Sequence, residues 1–318
     1  MNIHQTNLRD ERQKFRHRTR TADGQVRASV ALQEPSTLWF NTGTLCNIEC
    51  VNCYIESSPR NDALVYLSLA DVAEFLDQIT ARRWPVGEIG FTGGEPFMNP
   101  DAPAMLRLAL EQGYRVLVLT NAMRPMMRPR IQGALAALIG EYGDLLTFRI
   151  SIDHPDPAKN DAIRGSGSHA EALAGMRWLR DRGARCHVAG RTLWDENEAE
   201  SRAGFAALYA AEGFAIDAQN PGETLLFPEM DESADVPEIT TACWGILNKS
   251  PRDVMCASSR MVVRRKGAAR PSVVACTLLP HDLAFDMGPS LAAAEGDVWL
   301  NHRHCAKFCV LGGASCSV

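Results

Sequence analysis

The 318-residue sequence lacks the long apolar runs and the strong charge bias that would assign it to a membrane or to nucleic acid. No stretch of about 18 consecutive apolar residues occurs, which excludes a membrane-spanning helix. The amino terminus has no apolar core of a secretory signal, and a net charge of only −5 argues against a nucleic-acid partner. Internal repeats and low-complexity segments are absent too. What is left is a globular protein of about two domains, at roughly 150 residues per domain, or of one large α/β unit with an appendage. We expect it in the cytoplasm.

Cysteine is the residue type in unusual supply. Ten occur, at positions 46, 50, 53, 186, 243, 256, 276, 305, 309 and 316, too sparsely for a small disulfide scaffold. Without an export signal these thiols should stay reduced, and clustered cysteines in a reducing compartment indicate metal binding or catalysis. Three lie within eight residues, and six lie beyond residue 240. This clustering is the first indication of function.

The hydrophobic pattern divides the chain into three regions. Residues 1–34 are polar and basic, which favours a solvated arm. Residues 35–228 alternate six strands with helices, a pattern that predicts a parallel sheet with helices outside it and with its chemistry at the carboxyl ends of the strands. Residues 229–318 break the alternation, carry most of the cysteines and include a predicted hairpin of strands 261–265 and 272–276.

Three local predictions inside the alternating region depend on short signals. Ser168 followed by Glu171 is the spacing of a capping box, which predicts that Ser168 caps the helix that follows. A weaker run near residues 215–218 predicts the sixth strand. Ser68 and Asp71 have the same capping spacing before another helical pattern.

Cys46, Cys50 and Cys53 follow the first predicted strand with the spacing C-x3-C-x2-C. Three thiolates on one tight loop can each hold one iron of a cubane [4Fe–4S] cluster, because thiolates are the soft ligands that iron prefers. No fourth cysteine is near in sequence, and a metal site one ligand short leaves a position open for a substrate. The alternative is a small zinc site, although zinc ligands usually come as two cysteine pairs.

This cysteine loop, with Tyr54 directly behind it, resembles that of the radical S-adenosylmethionine (SAM) superfamily. Three further segments resemble the family's GGEP, TNG and SxDG…HDxIRG motifs in the same order: Thr92-Gly93-Gly94-Glu95-Pro96, Thr120-Asn121, and Ser151-Ile152-Asp153 with Asp161 to Gly165. The resemblance covers about residues 36–220. It implies an α/β fold, a partial (β/α)6 TIM-like barrel, with a small cysteine-rich α+β extension at the carboxyl end.

The resemblance also implies how SAM is held. Glu95 would bind the methionyl ammonium group, and the glycines before it would let the backbone approach the ligand closely because no side chain intervenes. Ser151 and Asp153 would offer polar partners to ribose or methionyl groups, and Tyr54 an aromatic face near adenine. The expected SAM-binding residues are Tyr54, Gly93, Gly94, Glu95, Asn121, Ser151, Asp153 and Arg164.

The implied reaction begins when the reduced cluster cleaves SAM to methionine and a 5′-deoxyadenosyl radical. The radical then takes a hydrogen atom from a peptide or from a small metabolite. A flavodoxin- or ferredoxin-type protein is the expected electron donor. No catalytic residue beyond the cluster can be assigned from the sequence.

The remaining cysteine group resembles the twitch or SPASM extension that holds an auxiliary cluster in some of these enzymes. Four thiolates saturate one cubane, so one auxiliary [4Fe–4S] cluster is expected. Cys256 and Cys276 are the expected ligands, together with two of Cys305, Cys309 and Cys316. The position of Cys316 near a fraying chain end favours the other two, although the GGASC ending resembles the family's closing GGGC. A structural zinc is the alternative.

Two readings of the whole chain therefore remain. The first is a radical SAM enzyme; the second is a non-catalytic iron–sulfur or zinc protein on the same fold, which uses its clusters for structure or electron relay. The intact Gly93–Glu95 segment and three-cysteine loop favour the enzyme, since a site that has lost its catalytic function need keep neither. Cys186 is expected to be a buried small hydrophobe, and His302 and His304 are expected at the surface.

Overall fold

The computed structural model of the protein describes residues 13–192, 196–228 and 235–313. Its strands and α-helices alternate through the middle of the chain, and a π-helix, Cys305–Leu311, closes the described part. In chain order the elements are β1 (Ser29–Val30), β2 (Thr37–Asn41), α1 (Leu69–Arg82), β3 (Glu88–Thr92), α2 (Ala102–Glu111), β4 (Arg115–Thr120), α3 (Pro129–Tyr142), β5 (Leu146–Ser151), α4 (Pro157–Arg164), α5 (Ser168–Arg180), β6 (Arg185–Thr192), α6 (Glu198–Glu212), β7 (Thr224–Pro228), α7 (Cys243–Ile246), β8 (Ser259–Val263), β9 (Ser272–Val274) and β10 (Val298–Trp299).

One sheet of eight strands forms the centre of the molecule, in the order β7-β6-β5-β4-β3-β2-β8-β9. Strands β2 to β7 run parallel and pair in sequence order, with the helices between them. The α/β class with a parallel sheet is therefore confirmed. On the other side of β2 the sheet continues with β8, which is parallel to β2, and with β9, which is antiparallel to β8. The predicted hairpin thus exists as an extension of the same sheet.

The core forms where the buried strand faces meet the apolar faces of the helices. Phe40 of β2 stacks on Phe91 of β3 with ring centroids 5.6 Å apart, and Phe75 of α1 meets Phe40 edge-on. Burial of a phenylalanine side chain contributes about 1.5–3 kcal/mol. The predicted capping box is present at α1, where Ser68 and Asp71 each accept the backbone N–H of the other.

The prediction that Ser168 caps a helix is wrong. Ser168 is the first residue of α5, after Gly167 in a left-handed conformation, and its hydroxyl bonds to Asp161. The Asp161 carboxylate accepts the backbone N–H groups of Gly167 and His169, at 2.6 and 2.9 Å. A carboxylate on the preceding helix thus satisfies the free N–H groups at the start of α5.

The strand predicted near residues 215–218 is also misplaced. The sixth parallel strand is β7, several residues further along the chain. The carbonyl of Ala218 instead accepts a hydrogen bond from Arg202 of α6, at 2.6 Å. This tertiary contact holds the segment as a loop, so its weak strand pattern does not decide its conformation.

The basic amino-terminal region is only partly a solvated arm. Arg27 and Ala28 are completely buried, and β1 pairs antiparallel with β10 near the other end of the chain. Arg27 forms a buried ion pair with Glu238, Nη2 to Oε1, at 2.5 Å. A partner 211 residues away leaves no local signal in the sequence. Residues 1–12 lie outside the described residues, and no helix among the described ones is long and apolar enough to cross a membrane.

Candidate functional site

The three-cysteine loop follows β2 and lines a cleft at the carboxyl ends of the parallel strands. Two backbone hydrogen bonds fix the loop. Cys46 N–H donates to the carbonyl of Ser58 at 3.1 Å, and Val51 N–H donates to the carbonyl of Ile163 in α4 at 2.9 Å. Cys46 is buried, whereas Cys50 and Cys53 are half-buried. All three cysteines line this one cleft.

Gly93 and Gly94 pack against the start of this loop as well as lining the cleft. Gly94 N–H donates to the carbonyl of Gly43 at 2.8 Å. A Cβ on Gly93 would lie 2.6 Å from that same oxygen, and a Cβ on Gly94 would lie 2.2 Å from the carbonyl oxygen of Leu45. Gly93 also has φ +136°, a conformation that residues with side chains rarely adopt. The close approach of the protein's own backbone is therefore enough to require glycine at both positions.

Glu95 is 1% exposed, and donors from the neighbouring strand hold its carboxylate. Thr120 Oγ1 and the backbone N–H of Asn121 each donate to it at 2.8 Å, and Phe97 N–H donates at 3.2 Å. Burial raises the pKa of Glu95 to about 7, and these hydrogen bonds oppose the shift. Because a carboxylate has about four acceptor positions, one more donor can still be accommodated.

Asn121 connects this carboxylate to the cysteine loop. Its side-chain Nδ2 donates to Asn47 Oδ1 at 2.9 Å and lies 3.8 Å from Cys46 Sγ. Asn121 lines the cleft, and it also links Glu95 to the cysteine loop, because its backbone bonds to the Glu95 carboxylate and its side chain bonds to Asn47.

Asp153 holds two arginines against the cysteine loop. Its carboxylate is 2.9 Å from Arg164 Nε and 3.2 Å from Arg191 Nε. Arg164 Nη1 lies 4.0 Å from Cys50 Sγ, and Arg191 Nη1 donates to the carbonyl of Val51 at 3.2 Å. Both guanidinium groups line the cleft. Direct contact of Asp153 with SAM stays a prediction, while its contacts with the two arginines are part of the structure.

Arg191 is a site residue that the sequence reasoning missed. It lies near the carboxyl end of β6, and an arginine at the carboxyl end of a predicted parallel strand is a sequence signal of function that could have been used. Tyr54 and Ser151, which were expected at the site, do line the cleft.

The donor set fits an iron–sulfur cluster. Three sulfurs share the cleft, and nitrogen donors of Asn121 and Arg164 lie near two of them. Burial raises the pKa of Cys46 to about 12 and also raises the pKa of Cys50, so metal binding must release protons. Among the described residues no three His, Cys, Asp or Glu side chains converge on a single metal ion. A cubane binds each cysteine through a different iron, so its ligands need not converge.

Four of the remaining cysteines line a second, largely apolar cavity. They are Cys256, Cys276, Cys305 and Cys309, the last two on the π-helix. Burial raises the pKa of Cys256 to about 11; burial and then the charges of Cys276 and Cys256 raise the pKa of Cys305. These four side chains fit a centre of four thiolates. Cys316 lies outside the described residues.

Two further cysteines line neither of these two cavities. Cys243 is not among the residues that line the second cavity, and its sulfur accepts the backbone N–H of Thr240 at 3.3 Å. Cys186 on β6 is half-buried and packs against the main core, where burial raises its pKa to about 12.

Two further residues of the second site were not expected. His304 was placed at the surface, but it is buried, lines the cavity and packs edge-on against His302 and Phe308. The surface prediction is wrong for His304 because the π-helix and its aromatic neighbours turn the ring inward. Arg260 is 1% exposed; burial lowers its pKa to about 10, and Cys256 and Cys276 oppose that shift, so it stays charged at neutral pH.

Comparison with known proteins identifies the class to which this fold and site belong. The model of the Radical SAM superfamily matches residues 40–202, just over half of the chain, and the protein belongs to this superfamily. The resemblance drawn from the motifs is confirmed. Membership implies a [4Fe–4S] cluster and SAM, and the protein is an enzyme of this superfamily.

Curated relatives match the barrel region. Mycofactocin maturase MftC of Mycobacterium ulcerans is 30% identical over 148 residues, which are 46% of this chain and 37% of that protein. The subtilosin biosynthesis protein AlbA of Bacillus subtilis is 30% identical over 155 residues, which are 47% and 32%. An Fe-coproporphyrin III synthase of Methanosarcina barkeri is 29% identical over 157 residues, which are 48% and 36%. The matches thus span about a third of each relative's length.

Solved structures confirm the partial-barrel fold. SuiB of Streptococcus suis bound to S-adenosylmethionine has a TM-score of 0.57 at 14% identity, over 80% of this chain and 63% of that chain. The enzyme anSMEcpe with bound AdoMet has a TM-score of 0.58 at 12% identity, over 82% and 77%. At such low identity the likeness is one of fold alone.

Proposed function

We propose that this protein cleaves SAM reductively at a [4Fe–4S] cluster held by Cys46, Cys50 and Cys53, and that the resulting 5′-deoxyadenosyl radical takes hydrogen from a substrate. The observation that carries this proposal is that the three cysteines, Gly93 and Gly94 line one cleft at the carboxyl ends of the strands. The Glu95 carboxylate lies directly behind the wall of this cleft, where it accepts hydrogen bonds from Thr120 and Asn121. In the proposal, Cys256, Cys276, Cys305 and Cys309 hold one auxiliary [4Fe–4S] cluster.

The cluster, when bound, supplies the electron that breaks the sulfonium bond of SAM. The residues of the chain bind SAM and orient it. Glu95 accepts the methionyl ammonium in its remaining acceptor position, because its other positions are taken by Thr120, Asn121 and Phe97. Arg164 places positive charge beside Cys50, which favours the thiolate. Tyr54 and Ser151, at the cleft wall, contact the adenosyl part.

The substrate is a peptide or a small metabolite. The names of MftC and AlbA describe a maturase and a bacteriocin biosynthesis protein, and anSMEcpe has been solved with the peptide Cp18Cys. The relative from M. barkeri is a porphyrin synthase, which supports the second class. In either case the proposal places the protein in the cytoplasm, where its thiols stay reduced, and takes a flavodoxin- or ferredoxin-type protein as the electron donor.

Reductive SAM cleavage tests the proposed function. The protein is purified and reconstituted anaerobically, its iron and sulfide are measured, and it is then reduced with dithionite in the presence of SAM. We expect 5′-deoxyadenosine and methionine in equal amounts. A protein with full clusters that forms neither product would be the non-catalytic iron–sulfur protein of the alternative reading.

Substitution of Glu95 tests how SAM is held. Glu95→Ala is expected to weaken SAM binding about tenfold to a hundredfold, because loss of a charge-assisted hydrogen bond costs about 1.5–3 kcal/mol. Its iron content should stay unchanged, since the carboxylate does not bind metal. The measurement is SAM affinity by equilibrium dialysis of the reconstituted protein.

Glu88 provides the matched control for Glu95. It is the first residue of β3, the strand that precedes Glu95 in the chain, and its carboxyl group is partly buried at the amino end of the sheet, away from the cleft. Glu88→Gln should bind SAM like the wild type. An unchanged SAM affinity of Glu95→Ala would remove Glu95 from the binding site.

A further inference from the structure

Arg260 on β8 is a buried cation beside the second group of cysteines. Its side chain is 1% exposed, and its guanidinium group donates only to backbone carbonyls among the described residues. The hydrogen bonds reach Cys256 O at 2.6 Å, Ser259 O at 2.8 Å, Ala294 O at 2.9 Å and Gly296 O at 3.3 Å. No ion pair joins it to a carboxylate within the described ranges.

The other buried arginines of the described chain have a carboxylate nearby. Three of them form ion pairs. The fourth, Arg149, lines a cavity together with Glu88, and its positive charge opposes the rise in the pKa of that carboxyl group. The three ion pairs are Arg27 with Glu238, Arg191 with Asp153, and Arg202 with Glu198. Arg260 departs from this pattern, although it is among the most deeply buried of the five.

A buried charge is costly unless an opposite charge compensates it. Among the described residues, the ionisable groups that act on the charge of Arg260 are the thiols of Cys256 and Cys276, and both of these residues line the second cavity. A cubane with a 2+ core and four thiolate ligands carries a net charge of −2. Such a centre would provide the counter-charge that no described carboxylate provides.

We propose that Arg260 is the counter-charge of the auxiliary centre, a positioning residue that stabilises the anionic cluster and favours its reduced form. The inference rests on the auxiliary cluster of the proposed function. One-electron reduction takes the centre from a charge of −2 to −3, and a fixed positive charge stabilises the more negative state. Removal of that charge should therefore lower the midpoint potential.

The test uses the full-length chain with Cys46, Cys50 and Cys53 replaced by alanine, so that one cluster remains. Redox titration with dithionite, followed by electron paramagnetic resonance, measures its potential. Arg260→Gln keeps hydrogen-bond donors but loses the charge. We expect at least a tenfold fall in the equilibrium constant for reduction, which is about 59 mV for one electron. Arg260→Lys, which keeps the charge, should retain most of the potential.

Arg202→Gln is the matched control, because Arg202 is also a buried arginine but is paired with Glu198 on α6. Its removal should leave the potential unchanged. If the triple-alanine background chain holds no iron and sulfide, the proposal of an auxiliary cluster is disproved, and with it the proposed role of Arg260. If the cluster is complete and Arg260→Gln has the wild-type potential, only the role of Arg260 is overturned.

Thermal unfolding covers the case in which Arg260→Gln cannot hold its cluster. Arg260→Met is compared in the cluster-bearing background and in one that also carries Cys256→Ala and Cys276→Ala. We expect a large fall in melting temperature with the cluster and a smaller fall, or a rise, without it, because the buried charge then lacks its partner. Equal falls in both backgrounds would mean that Arg260 serves only packing.

Discussion

Replacement of Cys46, Cys50 and Cys53 together by alanine is expected to remove about four iron atoms per chain, one cubane, and to abolish formation of 5′-deoxyadenosine. These three cysteines line the cleft, and no fourth cysteine of the described residues does so. The loop itself should persist, because the backbone hydrogen bonds of Cys46 and Val51 do not involve the thiols. The measurements are iron and sulfide content, and the nucleoside formed after reduction.

The second cysteine group should keep its iron in this triple variant, since it lines a separate cavity. Cys186→Ala is the control: this cysteine is on β6 and contributes to neither cavity, so the variant should retain both the iron and the activity. Formation of 5′-deoxyadenosine by the triple variant would disprove the assignment of the SAM-binding cluster.

Single substitutions of the second cysteine group, made in the triple variant, are expected to divide the cysteines into two classes. Loss of any thiol that lines the apolar cavity should remove the remaining iron, because three thiolates leave one iron without a protein ligand in a site with few polar groups. The cysteines of this class are Cys256, Cys276, Cys305 and Cys309. Cys316→Ala should keep the iron, as should the control Cys243→Ala, whose sulfur bonds to Thr240 instead.

The same iron and sulfide assay decides between this proposal and its alternatives. Retention of iron by all four cavity variants would contradict the auxiliary cluster. Zinc in the site after anaerobic purification would identify a structural metal site. If Cys316→Ala loses its iron and either Cys305→Ala or Cys309→Ala retains it, Cys316 is the fourth ligand in place of the cysteine that proved dispensable. The spacing of the closing cysteines alone left this choice open.

The sequence was most informative where its signals are local. Alternation of strand and helix patterns specified a parallel sheet, because each buried strand and each amphipathic helix carries its own periodicity. The capping box at Ser68 involves two residues three positions apart, and the C-x3-C-x2-C loop carries its ligands on one short segment. The cleft at the strand ends follows from the same topology, since parallel strands bring their carboxyl ends to one edge of the sheet.

Only the tertiary structure decided the contacts between distant segments. Asp161 rather than Ser168 caps α5, Asp153 holds Arg164 and Arg191 against the cysteine loop, and a buried partner of Arg27 lies 211 residues away. The sequence did not predict that Arg260 and His304 are buried either, since a charged or polar residue on a short segment usually faces solvent. Spacing records which residues share a turn or a strand face. It does not record which carbonyls, carboxylates and thiols the folded chain brings around a side chain, and those groups determine whether a buried charge is stable.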